Sequence, residues 1–311
     1  MQEHKDHESV VFSKSEELEK RPGRKHIVIA GLPIRSIVVA LIIIVILLLV
    51  AALFFPQAKR IATVALPTPT VTPTPSPIPF TIYKNPKLAQ SDEFKIFLIG
   101  DSMTHALGPR GGIFNEELSN AHKGIFLQIF NYSQANQSIE TLPQRLTESV
   151  QADADLLLPP MLEGEPDLII LESFGYNPLS QHGLEGGLKK QTELLTEIMT
   201  TLTNKFPNTV IMFLSTIAPD RDLYGKNIQL TDRATQANER IAYIENHNRY
   251  AQEHNIPLIN VFQESLDAEG DGAEIYISPD DTIHPSNAGM ELISKVMTRR
   301  ILEEKVFPQL Q

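Results

Sequence analysis

Three short runs in this chain carry side chains of the right type and spacing for acyl chemistry. The first is Gly100-Asp101-Ser102. An apolar run, Lys95–Ile99, ends just before it, so Ser102 falls at the C-terminal end of a predicted strand, with Gly100 allowing a tight turn. A helix starting there would aim backbone N–H groups at whatever the Ser102 hydroxyl attacks. Asp101 and Ser102 are equally good helix N-caps, which is the purely structural reading of the same residues. The second run is Asp281-Thr282-Ile283-His284. On a tight loop, residues three apart lie on one side, so Asp281 can hold the His284 ring in one tautomer and leave its other nitrogen as a base. Asp280, four residues from His284, competes for that role. The third run is Phe174-Gly175-Tyr176-Asn177-Pro178, in which Gly175 permits close backbone approach and Asn177 offers an amide N–H to a developing negative oxygen, or simply forms a turn before Pro178. A polar loop, residues 131–137, adds a further backbone donor around Asn136.

These runs need elements to bring them together. Five short apolar segments read as strands: Lys95–Ile99, Ile125–Asn131, Leu168–Leu171, Thr209–Leu214 and Pro257–Val261. Their near-continuous apolar character suits parallel strands buried on both faces. Helical patterns lie between and after them: part of Gln134–Gln151, then Leu188–Lys205, Asp232–His254 and Asn287–Lys305. Alternation of this kind predicts an α/β fold with a parallel, doubly wound five-stranded sheet, in which ligands bind beyond the strands' C-terminal ends. Ser102, Asn136 and Asn177 each follow a predicted strand, and His284 precedes the final helix.

Taken in order, these blocks resemble those of the SGNH (GDSL-type) serine hydrolases, over roughly residues 94–305. Ser102 matches the family's nucleophile, Asn177 its asparagine block, and Asp281-x-x-His284 its last block. The resemblance implies a three-layer αβα, flavodoxin-like domain that cleaves esters. Ser102 attacks the carbonyl, His284 takes its proton, and Asp281 orients His284. The Ser102 N–H, the Asn136 N–H and the Asn177 side chain form the oxyanion hole, while Asp101, Gly175 and Tyr176 border the substrate. Two blocks depart from the pattern. Asn136 stands where the family has a glycine, and Gly175-Tyr176-Asn177 is followed by Pro178 instead of aspartate. The resemblance implies no metal and no organic cofactor. An acyltransferase acting on envelope glycans, and a non-catalytic binding domain that keeps the fold, are the rival readings.

Composition narrows the partners. The chain has 311 residues, 27 Lys and Arg, 38 Asp and Glu, and no cysteine. Disulfides, thiol catalysis and Cys-ligated metals are therefore excluded. Nine of the basic and six of the acidic residues fall within residues 1–79, leaving 18 basic and 32 acidic in the remainder, a charge of -14. So acidic a domain is a poor partner for nucleic acid. Residues 36–55 (SIVVALIIIVILLLVAALFF) contain no charge, Gly or Pro. Twenty helical residues span roughly 30 Å, the thickness of a bilayer's hydrocarbon core. Five Lys and Arg closely precede this run and two follow it, which puts the N-terminus on the cytoplasmic side. The expected organisation is a cytoplasmic tail (1–35), a transmembrane helix (36–55), a Pro/Thr-rich extracytoplasmic linker (56–90) and the SGNH-like domain (91–311). The expected partners are the membrane and an ester-bearing carbohydrate or lipid. Of the remaining features, Asp267-x-Glu269-x-Asp271-Gly272 resembles a calcium loop but has Ser278 where a bidentate glutamate is needed. Glu172 ends the third strand as either a buried or a pocket carboxylate.

Overall fold

Each of the five apolar runs forms a strand in the computed structural model, which describes residues 80–308. In chain order the elements are β1 (Glu93–Ile99), α1 (Ser102–His105), α2 (Gly112–Ala121), β2 (Phe126–Asn131), α3 (Leu142–Arg145), β3 (Val150–Asp153), β4 (Leu156–Leu158), β5 (Leu168–Glu172), α4 (Gly183–Lys205), β6 (Val210–Ser215), α5 (Leu230–Glu253), β7 (Leu258–Asn260), α6 (Val261–Glu264) and α7 (Asn287–Glu303). The main sheet has the order β2-β1-β5-β6-β7, and every neighbouring pair is parallel. The expected α/β class and five-stranded parallel sheet are therefore observed. The expected membrane helix at residues 36–55 lies outside the described residues, as does most of the expected linker. Among the described residues, no helix is long and apolar enough to cross a membrane.

The apolar runs follow from two-sided burial. Along β1, Ile96 and Leu98 enter one core while Phe97 and Ile99 enter the other. The same alternation separates Leu168 and Ile170 from Ile169 and Leu171 on β5, and Met212 and Leu214 from Ile211 and Phe213 on β6. Successive side chains of a strand point to opposite faces, so both parities must be apolar here. Helix α2 (Phe114, Leu118) and helix α7 (Ile293, Val296, Met297, Ile301) cover one face. Helix α4 (Leu194, Leu195, Ile198, Met199, Leu202) covers the other. Helix α5 contributes to both, with Ile241 and Ile244 in the first core and Tyr243 and Tyr250 in the second.

The chain runs from β1 outward to β2, then returns across β1 to β5. The C-terminal ends of β1 and β5 therefore flank the crevice where strand order reverses, the usual ligand position in such sheets. Entry to the domain is at the opposite end. The Tyr83 hydroxyl donates to the Thr209 carbonyl (3.3 Å) and accepts from the Ile211 N–H (2.6 Å) at the start of β6. The Phe80 N–H donates to Thr200 Oγ1 (3.1 Å), and the Tyr83 N–H donates to the His254 carbonyl (2.8 Å).

Most of the helix expected within Gln134–Gln151 does not form. A 3-10 turn at Ile139–Thr141 leads into the four-residue α3, with Pro143 in its first turn. Proline supplies no N–H donor and is accommodated there, but not within a helix running through from residue 134. Neither helix α2 nor the β3–β4 hairpin was expected from the sequence pattern.

Candidate active site

Asp101 and Ser102 begin the site where β1 turns into α1. Asp101 is the N-cap, its Oδ1 accepting from the Met103 N–H at 2.8 Å. Ser102 is the first helical residue, so its N–H has no acceptor within the helix. The structural and chemical readings of this triplet thus hold together, because capping by Asp101 is what presents Ser102. Gly100 is needed for the approach of the strand ends. A Cβ there would lie 2.9 Å from the Glu172 Cβ and 2.8 Å from Thr104 Oγ1.

Beside it, the chain leaving β5 turns sharply. Phe174 adopts a positive φ of 55°, and the Asn177 N–H closes the turn onto the Phe174 carbonyl (3.1 Å). The Asn177 side-chain amide donates one N–H to Asp101 Oδ2 at 2.8 Å. Its second N–H is left to point elsewhere. Two expected substrate contacts are corrected here. Asp101 is fully buried (0% exposed) and is bonded to protein on both oxygens, so it does not border substrate. Gly175 faces helix α5, where a Cβ would come within 2.4 Å of Ile244, so its small size serves helix packing and not ligand approach. Tyr176 is mostly buried, with its hydroxyl on the Ile217 carbonyl (3.1 Å), but it does line a surface cavity beside Asn177.

Asn136 lines that same cavity. Its φ is +57°, the left-handed region that glycine enters freely and that asparagine enters more readily than most other residues. Asparagine in place of the family's glycine is thus compatible with the conformation the chain adopts here. Asn131, at the end of β2, is buried, and its amide donates to the carbonyls of Thr104 (3.0 Å) and Gly108 (2.9 Å), tying that end to α1 and the residues after it. His105 adds a second tie through Nδ1 to the Ser133 carbonyl (3.1 Å).

The last run closes on itself. His284 Nδ1 lies 2.6 Å from Asp281 Oδ2, and Asp281 Oδ1 accepts from the backbone N–H groups of Ile283 (2.9 Å) and His284 (3.0 Å). A carboxylate only accepts, so the proton of a neutral ring sits on Nδ1 and Nε2 is free as a base. Burial acts to raise the Asp281 pKa, but the bonds from His284 and the two backbone N–H groups outweigh it and hold the carboxyl below its ordinary range. Asp281, not Asp280, holds the ring; Asp280 is exposed and bonds only through its N–H to Ser278 Oγ (3.2 Å). His284 lies within electrostatic range of Asp101, the residue before Ser102. His284 and Ser102 are not directly hydrogen-bonded to each other, a looseness common in substrate-free sites.

Beneath the site lies a charge cluster that the sequence did not reveal as one. Glu172 is fully buried. Its Oε2 accepts from the Asp101 N–H (3.2 Å), and its Oε1 accepts from Ser173 Oγ (2.6 Å) and the Phe174 N–H (3.0 Å). Burial, and after it the charge of Asp101, raise the Glu172 pKa well above the ordinary carboxylate range. Arg145, only 7% exposed, donates to the Tyr132 carbonyl (2.8 Å) and the Gly100 carbonyl (3.4 Å). Burial lowers its pKa to about 10, with Asp101 acting in the opposite direction, so it remains a cation at neutral pH. Elsewhere, Asp267 Oδ1 accepts from the Glu269 N–H (3.0 Å) and the Asp271 N–H (2.9 Å), so the calcium-like run forms a self-bonded turn.

A parallel α/β sheet with a serine at the end of its first strand, an asparagine after its third in sequence among the five, and a paired Asp and His before its last helix defines a class of serine hydrolase. A family model described as GDSL-like Lipase/Acylhydrolase matches residues 98–292, more than half of the chain and inclusive of every block above. The chain belongs to this family and is an ester hydrolase. Among solved structures, one from Parabacteroides merdae described as a GDSL-like lipase shares 18% identity over 69% of this chain and 98% of its own, with a TM-score of 0.52, which shows the common fold. A lipase/acylhydrolase from Enterococcus faecalis shares 16% identity over 70% and 99% of the two chains at a TM-score of 0.48. An acetylxylan esterase from Geobacillus stearothermophilus shares 14% over 67% and 94% at 0.43. No curated protein matches the chain.

Proposed function

We propose that this chain is a membrane-anchored serine esterase, its domain outside the cytoplasm, that removes acyl groups from carbohydrate. The observation that carries the chemistry is the 2.6 Å contact from His284 Nδ1 to Asp281 Oδ2, which leaves Nε2 as the base. Ser102 Oγ attacks the ester carbonyl while His284 Nε2 takes the hydroxyl proton. The negative oxygen of the tetrahedral intermediate accepts from the Ser102 N–H, the Asn136 N–H and the free N–H of Asn177. Protonated His284 then gives its proton to the departing alcohol oxygen, and the C–O bond breaks to leave an acyl group on Ser102. Water, deprotonated by His284 Nε2, attacks that acyl group, and the bond to Ser102 Oγ breaks as His284 returns the proton to it, releasing the acid.

Carbohydrate is favoured over lipid by the cavity beside Asn177, about 320 Å³, which Ser138, Thr141, Ser180 and Arg240 line together with Asn136. Sugar hydroxyls pair with such groups, whereas a hydrocarbon chain covering them would leave them unsatisfied. The anchor rests on residues 36–55 and on the Lys and Arg that precede them.

A fluorophosphonate probe tests the chemistry. Labelling of the wild type, but not of Ser102→Ala, is the expected result; equal labelling of both overturns it. Short acetylated oligosaccharides are expected to be cleaved with a higher kcat/KM than octanoyl esters of glycerol, and the reverse order refutes the carbohydrate reading. Alkaline carbonate extraction of cell membranes should leave the chain in the pellet, and its release would remove the anchor.

A further inference from the structure

We propose that Glu172 is a positioning residue of the esterase: it fixes the Asp101 carboxylate from beneath and, through Asp101, aims the second N–H of Asn177 at the oxyanion. This inference rests on the reading of Asn177 as an oxyanion donor.

The connection is continuous and buried. Ser173 Oγ (2.6 Å) and the Phe174 N–H (3.0 Å) bond one oxygen of Glu172, so the turn that carries Asn177 is anchored on Glu172. The other oxygen accepts the Asp101 N–H at 3.2 Å. Asp101 Oδ2 in turn accepts from Asn177 Nδ2 at 2.8 Å. Glu172 thus holds both ends of the Asp101–Asn177 bond, one through the Asp101 backbone and the other through the Phe174–Asn177 turn. Neither carboxyl has any exposure to solvent.

Two adjacent, fully buried carboxyl groups do not both ionise, because the second charge has neither water nor a counterion of its own. The cationic Arg145 from α3 and the titratable His284 from the loop before α7 face the pair, and both act on Asp101. Tyr176 faces both carboxyls from the turn after β5. With Arg145 beside it and Met103 and Asn177 donating to it, Asp101 takes the negative charge and Glu172 keeps a proton, directed at Asp101. Burial raises the pKa of both carboxyls, and the charge of Asp101 adds to it at Glu172, which is raised well above the ordinary range, in agreement with this assignment. Raising the pH to remove that proton sets a second anion against Asp101, loosens the Asn177 turn and slows the chemical step. The folded pKa is raised, so the neutral form and the positioning it provides persist below that value and are lost as pH rises through it.

The test compares the full chain in detergent as wild type, Glu172→Gln, Glu172→Ala, Asn177→Ala and Glu172→Gln/Asn177→Ala. The measurements are kcat and KM on a short-chain acetyl ester from neutral to alkaline pH. Glu172→Ala should lower kcat by about 10- to 100-fold, the scale of a misaimed catalytic group, with KM within about threefold. Glu172→Gln stays neutral and removes the alkaline decline, but its NH2 must face the N–H of Asp101 or of Phe174, so kcat should lie between that of Glu172→Ala and that of wild type. Should Glu172→Ala fail to fold, the isosteric Gln variant decides alone: its effect on kcat should disappear when Asn177 is already alanine. Glu172→Gln as slow as Glu172→Ala, or with an alkaline decline identical to wild type, overturns the proposal. Equally fatal is a loss from Glu172→Gln that is undiminished in the double variant. Loss of turnover in Asn177→Ala with no effect from Glu172 refutes this inference alone, whereas unchanged turnover in Asn177→Ala refutes the oxyanion reading on which it rests.

Discussion

The two halves of the site are built in opposite ways. Ser102 and Asn177 are set by groups sealed beneath the sheet end, Asp101 and Glu172 at 0% exposure and Arg145 at 7%. The side chains of His284 and Asp281 are 40% and 42% exposed and are held by bonds within four consecutive residues. The Ser102 half takes its geometry from the fold, and a change there spreads through packed neighbours that cannot relax. The His284 half takes its geometry from one loop and from the backbone N–H groups of Gly225 and Lys226 that bond it, and water can replace a lost side-chain partner there. Position relative to the core, more than chemical role, should then set how severely each supporting residue responds to substitution.

The largest expected effect joins the halves. Ser102→Ala and His284→Ala should each lower kcat at least ~10³-fold, and the double variant should be scarcely worse, since nucleophile and base fail together. Multiplicative losses in purified, folded variants would show that they do not act as one unit. Next is Asn177→Ala, which should reduce kcat by ~10²–10³ with little change in KM. Asp281→Ala should cost less, ~10–10²-fold, because its site is open to solvent that weakens the pair and can substitute for it. A loss for Asp281→Ala greater than for Asn177→Ala would break the comparison. Its pH dependence sharpens it: with a folded pKa below the unfolded ~3.9, Asp281 contributes its loop stabilisation above that value and loses it only as pH falls through the lower folded one. Titration of Asp281 itself should therefore contribute nothing to the pH dependence of kcat in mildly acidic buffer. Asn136→Val should lower activity more than Asn136→Gly, because a β-branched residue resists the +57° φ at a cost of ~1–3 kcal/mol. The smallest effect is that of Asp280→Ala, within about twofold, as expected for an exposed side chain that does not touch the ring.

Legibility in the sequence divided along similar lines. The strands of the sheet were readable because both faces are buried, which forces β5 and β6 to be apolar at every position but the last, Glu172 and Ser215. The Asp281-x-x-His284 contact was readable because it is local. Asp101 and Gly175 were misplaced as substrate contacts, since nothing in a Gly-x-Asn turn says whether the glycine faces a ligand or Ile244 on a helix about seventy residues away. Arg145 lies in a polar stretch that reads as solvated, and its acceptors, the carbonyls of Tyr132 and Gly100, are 13 and 45 residues distant. Burial of Glu172 was left open for the same reason: a carboxyl at a strand end is equally at home in a pocket until its neighbours are known. Asn136 carried a usable signal, as asparagine in place of a glycine still permits a left-handed backbone.

The attachment of the first described residues has a mechanical consequence. Tyr83 is pinned across the start of β6, and Phe80 and Tyr83 are tied by backbone N–H groups to the far ends of α4 and α5. Ser102, Asn136 and Asn177 lie past the other end of the strands, about 20 Å away for a six-residue strand. Tension applied through residue 80 is thus borne in shear by the base of the sheet and is spent before it reaches the crevice, so a domain held by its N-terminal side can be pulled or jostled without its site being prised open.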